Sequence, residues 1–126
     1  MKILELPLKK EWYNMIESGE KREEYRNVTP YWMKRLVWDA DYNEPVSKDD
    51  VEFLCSLVGR DDGTTGNFFD AGWEPKPYTH VRFRYGYTKR TMLYTISEIT
   101  IGYGNPNWGA PTDKEVFIIK IGDNVQ

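Results

Sequence analysis

Gly19-Glu20-Lys21-Arg22-Glu23-Glu24-Tyr25-Arg26 packs three cations and three acids into eight residues, directly after an amphipathic run. Gly19 tolerates the left-handed backbone that ends a helix, so the chain is expected to turn there and begin an extended segment. Alternate side chains of an extended segment share a face, which puts Arg22, Glu24 and Arg26 together and Glu23 and Tyr25 opposite. One carboxylate between two guanidiniums results. The helix, turn and strand around this corner set the reading of what lies on either side.

Upstream, Leu4 and Leu6 fall on one face of a first strand and Glu5 on the other. Pro7 lacks a ladder donor, so the strand is expected to end there. From Leu8, the apolar positions Leu8, Trp12, Met15 and Ile16 follow i, i+4, i+7, i+8, the stripe of a helix that Gly19 closes. Downstream, Thr29-Pro30 reads as an N-cap followed by proline at the first helical position, opening a short helix through Tyr31, Trp32 and Leu36. Residues 39–78 are dominated by turn chemistry, in Asp39-Ala40-Asp41, Asn43-Glu44-Pro45 and the run from Arg60 to Gly66. One helix sits inside them, capped by Ser47, apolar through Val51, Phe53, Leu54, Leu57 and Val58, and stopped by Gly59. The segment reads as an acidic excursion from a sheet.

The second half is strand-like. Val81, Phe83 and Tyr85 alternate with His80, Arg82 and Arg84, and a turn follows from Gly86 to Arg90. Thr91 to Ile101 carries apolar residues on both parities, as a strand does when it bends or is covered on both sides. After a Gly/Pro-rich loop with Tyr103 and Trp108, whose aromatics are expected to fold back on the core, Val116 to Ile121 is a last strand with Phe117, Ile119 and Ile121 facing one way. Four or more strands, an early helix and no βαβ alternation predict a single α+β domain over residues 1–126 with a mainly antiparallel sheet that is open or closed.

Composition narrows the function classes. The net charge of −3 hides an asymmetry: residues 1–38 carry 8 Lys/Arg against 6 Asp/Glu, residues 39–75 carry 2 against 10, and residues 76–126 carry 7 against 4. The basic flanks favour an anionic ligand, whereas the acidic middle suits a basic partner. One cysteine, Cys55, and one histidine, His80, exclude an intramolecular disulfide and a Cys/His metal cluster. No cofactor is called for. Without a leader or an apolar run of membrane-spanning length, a cytoplasmic location and no membrane partner are expected.

The spacing Gly19, Lys21, Glu24, Arg26, written Gly-x-Lys-x-x-Glu-x-Arg, resembles the signature of the ASCH domain family, a branch of the PUA-like small β-barrels. The likeness covers the N-terminal 40 residues, through Leu6 to Trp12, the helix and the signature, and extends to the strand and turn from Val81 to Tyr87. It implies a PUA-like barrel with an N-terminal helix and a charged cleft near that helix, a fold associated with RNA binding and, in some relatives, with hydrolysis of modified nucleosides; the helical acidic insertion at 39–78 departs from a minimal domain of that kind.

On this basis Lys9, Lys21, Glu24, Arg26, Arg84 and Tyr87 are the candidate ligand-binding residues, for single-stranded RNA or a modified nucleotide. Glu24 fixes cations or accepts from a base amino group, and Arg26 suits a bidentate anion. An amidohydrolase or ribonuclease is the alternative, with Lys21 and Glu24 as the catalytic pair. The amidohydrolase branch is expected to carry a hydroxyl residue where this chain has Glu24, and a neighbouring carboxylate is expected to hold Lys21 charged. A protein-interaction adaptor working through the acidic excursion is the third reading.

Overall fold

Both edges of the main sheet come from the N-terminal part of the chain. The structure is a computed structural model that describes residues 1–58, 69 and 72–126. Its five-stranded sheet runs in the order β1 (Ile3–Leu8), β6 (His80–Tyr85), β7 (Thr91–Gly102), β8 (Val116–Asn124), β2 (Glu23–Asn27). The sheet curls into a half-barrel rather than a closed one. Backbone pairing does not join β1 to β2; the side chain of Arg26 crosses between them, its Nη2 donating to the Pro7 carbonyl at 3.1 Å.

Strand β1 continues through Pro7, where the sequence placed its end, and it pairs with β6 in parallel, so the sheet is mixed. The carbonyls of Lys2 and Leu8 accept from His80 and Gly86 at 3.2 and 2.9 Å, which turns the even-numbered backbone groups toward β6. Pro7, at an odd position, has its nitrogen on the free edge, and its missing N–H breaks no ladder bond. Leu4, Leu6 and Leu8 are buried, and Glu5 and Pro7 are exposed.

Helix α1 (Lys10–Glu17) buries Tyr13 and Ile16, leaving Trp12 and Met15 half-buried. The helix is therefore rotated from the predicted stripe, and Tyr13 meets Tyr85 edge-on at 5.1 Å. It ends as expected, with Gly19 at φ 86° and the Gly19 and Lys21 amides donating to Ile16 and Met15, both at 3.0 Å. In β7 the register shifts between Tyr94 and Ile96 and again between Ile96 and Glu98. These irregularities re-aim the strand and account for its apolar residues on both parities.

The described part of the excursion holds more regular structure than turn chemistry suggested. Strands β3 (Val37–Asp39), β4 (Glu44–Pro45) and β5 (Trp73–Pro75) form a separate small sheet in the order β4-β3-β5. Strands of two or three residues are too short to show alternation. Thr29 Oγ1 accepts from Trp32 N at 3.3 Å to cap α2 (Pro30–Leu36), and Ser47 Oγ accepts from Asp50 N at 3.2 Å to cap α3 (Lys48–Leu57). Val51 and Leu54 of α3 join Met33 and Leu36 of α2 in the core beneath the main sheet. Gly59 and the run from Arg60 to Gly66 lie outside the described residues. Among the described residues no helix is long and apolar enough to cross a membrane.

Candidate functional site

Where β1 and β2 face each other without pairing, the half-barrel opens into a cavity of about 580 Å³. Pro7, Leu8 and Lys9 line it from the end of β1, Trp12 from α1, Glu24 to Asn27 from β2, Trp32 from α2, Gly86 and Tyr87 from the β6–β7 turn, and Trp108, Gly109 and Pro111 from the loop before β8. Among the described residues no His, Cys, Asp and Glu side chains cluster as a metal site would need.

At the back of this cavity stands a row of three charges. Lys21 is 1% exposed. Its ammonium donates to the Trp108 carbonyl, lies 3.2 Å from Glu24 Oε1, and sits over the rings of Tyr25 and Trp12 at 4.7 and 5.3 Å. The other oxygen, Glu24 Oε2, lies 3.2 Å from Arg26 Nη2, and the Arg26 guanidinium covers the Trp32 ring at 5.2 Å. Arg26 Nε is buried and has no hydrogen-bond partner among the described residues. Burial pulls the Lys21 pKa below the ordinary lysine value, and the pull outweighs the opposing field of Glu24. Burial outweighs the carboxylate because an ammonium sealed from water loses its hydration.

The same corner fastens the loop that carries Trp108. Tyr25 donates from its hydroxyl to Glu23 Oε1 at 2.8 Å and accepts from the Asn105 amide at 3.0 Å; burial raises its pKa. Asn105 Oδ1 caps the 3₁₀ turn Pro106–Trp108 by accepting from Asn107 N at 2.9 Å. Gly109 takes φ 99°, and a Cβ there would stand 3.0 Å from the Trp12 ring. At Gly104 a Cβ would enter the ring of Tyr25. The loop is packed too closely on α1 and β2 for side chains at these positions, and that closeness makes Trp108 a cavity wall.

Of the residues singled out in the sequence, Lys9, Glu24, Arg26 and Tyr87 line the cavity, Tyr87 at the rim with 97% of its surface exposed. Lys21 stands behind Glu24 and does not line it. Arg84 turns back instead, donating to the Thr88 carbonyl at 2.9 Å, and is not part of the wall. Arg22 does not share the face of Glu24 and Arg26 as alternation predicted. It precedes β2 and donates to the carbonyls of Ile121 and Gly122 at 3.2 and 3.0 Å. Sequence reasoning missed the tryptophans. Three of the chain's five, Trp12, Trp32 and Trp108, meet in this one cavity. Trp12 and Trp32 read as helix-face core and Trp108 as a lid. Trp108 does pack on the small cluster of Tyr25, Ala110, Val116 and Ile118 while also facing the cavity.

Comparison with protein-family models, with curated proteins and with solved structures returned no match. The residues of the site therefore carry the functional reading themselves.

Proposed function

We propose that the chain is an ASCH-type, PUA-like module that binds single-stranded RNA, or a free nucleotide, by drawing one unstacked base into the cavity between β1 and β2. The observation that carries this is the lining, three tryptophans around a carboxylate–guanidinium pair in about 580 Å³. A nucleobase is flat and aromatic, and stacking on such side chains contributes about 1–3 kcal/mol per base. Its edge carries donors and acceptors, which an acceptor-only carboxylate and a donor-only guanidinium can meet. The volume falls in the range of small-ligand sites. Lys9 and Arg26, which line the cavity, outnumber Glu24 there, and this excess favours a phosphate-bearing ligand over a cation held in an aromatic cage. The Gly19, Lys21, Glu24, Arg26 signature supports the family assignment and the same ligand class.

The test is a titration of the protein with single-stranded RNA at several salt concentrations, followed by tryptophan fluorescence. Two cations, Lys9 and Arg26, line the cavity. At about 0.7 per phosphate contact on a single strand the logarithmic salt slope is no steeper than about −1.4, or at most roughly sevenfold weaker binding from 50 to 200 mM salt. No association with a random single-stranded pool sinks the reading.

One observation favours a second reading, hydrolysis of an amide on a modified nucleoside: burial lowers the Lys21 pKa beside Glu24, the direction that makes a lysine reactive. Against it, the ammonium is engaged by the Trp108 carbonyl and does not line the cavity. Turnover of an acylated cytidine that is equal in wild type and Lys21→Ala rejects Lys21 as the catalytic group.

A further inference from the structure

The polar wall of the cavity has a pattern that distinguishes one base from another, and its use in recognition rests on the proposed entry of a base. Glu24 holds one cation on each carboxylate oxygen, Lys21 on Oε1 and Arg26 on Oε2, both at 3.2 Å. A carboxylate oxygen accepts about two hydrogen bonds. Each oxygen of Glu24 therefore keeps one acceptor position, and two adjacent acceptors are complementary to two adjacent N–H donors.

Arg26 offers the opposite character beside it. Its Nη2 serves Glu24 and the Pro7 carbonyl, while its buried Nε has no partner among the described residues. A guanidinium carries five N–H donors, so Arg26, which lines the cavity with a side chain 20% exposed, has donors left for an acceptor that arrives with a ligand.

We infer that the cavity reads the Watson–Crick edge of guanine: N1–H and one N2–H donate to the two oxygens of Glu24, and O6 accepts from Arg26. Among the four RNA bases only guanine carries two adjacent donors followed by an acceptor on that edge. Adenine and cytosine turn a ring-nitrogen lone pair toward the carboxylate beside their single amino group. Uracil places its one N–H between two carbonyls. Acceptor facing acceptor is repulsive and leaves Glu24 desolvated without compensation, so the site discriminates against these three as well as for guanine. Lys21 is then a positioning residue, holding the carboxylate from behind while its own charge stays out of the ligand's reach.

The experiment uses the wild-type protein, so nothing depends on a variant folding. Tryptophan fluorescence titrations compare the trinucleotides UGU, UAU, UCU, UUU and UIU, where I is inosine, which keeps N1–H and O6 but lacks the 2-amino group. The expected result is that UGU binds at least about tenfold more tightly than UAU, UCU and UUU, since a good bidentate pair discriminates by roughly that factor or more. UIU is expected to bind at least threefold more weakly than UGU. Binding of all five within threefold overturns the guanine inference and leaves base binding intact. UIU equal to UGU overturns the two-pronged role of Glu24. Absence of binding to any of the five overturns both this inference and the function it rests on.

Discussion

Glu24→Gln keeps the shape of the side chain and one acceptor while deleting the charge that Lys21 faces at 3.2 Å. Lys21 cannot compensate by reaching water, since it is 1% exposed and bonded to the Trp108 carbonyl. Two responses remain. Staying charged without its partner costs about 3–5 kcal/mol, the usual loss when one half of a buried ion pair is removed. Releasing the proton sets a ceiling on that loss. From the ordinary lysine value of 10.5, deprotonation costs about 1.4 kcal/mol per pH unit, which is roughly 5 kcal/mol at pH 7 and roughly 2 kcal/mol at pH 9. Burial already places the folded pKa below the unfolded one, and removal of Glu24 lowers it further. Between the folded and unfolded values the unfolded chain binds more protons, so the variant gains stability relative to wild type as the pH rises through that window. Urea unfolding at pH 7, 8 and 9 is expected to show a deficit of about 3–5 kcal/mol at pH 7 that shrinks below about 2 kcal/mol at pH 9. Adding Lys21→Met to Glu24→Gln should abolish that pH dependence. A deficit under about 1 kcal/mol at pH 7, or one that does not shrink by pH 9, refutes the claim that Glu24 is what makes a buried lysine tolerable here.

Trp32→Ala should weaken RNA binding by about 5- to 150-fold, the loss of one stacking surface, as read by fluorescence polarisation of a labelled single strand. Arg84→Ala should leave the same affinity within twofold, because its guanidinium is bonded to the Thr88 carbonyl away from the cavity wall. Gly104→Ala forces a methyl into the Tyr25 ring and should cost about 1–3 kcal/mol in urea unfolding. A Gly104→Ala protein with wild-type stability means that the Trp108 loop is held less closely than the packing indicates.

The local elements were legible because their signals are local. Gly19 ended α1, Thr29 and Ser47 capped α2 and α3, and β6 showed the period of a half-buried strand. The parallel pairing of β1 with β6 was hidden, since no short-range pattern states which of two distant strands will be neighbours or in which direction they run. Pro7 misled for the same reason. Its cost depends on whether the position is on an edge, and edges exist only once a sheet has assembled. The small sheet in the excursion was illegible because its strands are shorter than one full alternation.

For the site, the sequence by itself determined the charged core: the spacing Lys21, Glu24, Arg26 follows from the covalent chain and the two-residue period of a strand, which keeps Glu24 and Arg26 on one face wherever the strand goes. Only the tertiary structure decided what surrounds them. Trp12, Trp32 and Trp108 come from three separate elements and converge because the sheet curls and the loop from Gly104 to Gly109 packs against Tyr25 and Trp12. The tertiary structure likewise decided that Lys21 supports the site from behind, because burial is a property of the assembled loop and helix and no run of residues encodes it alone.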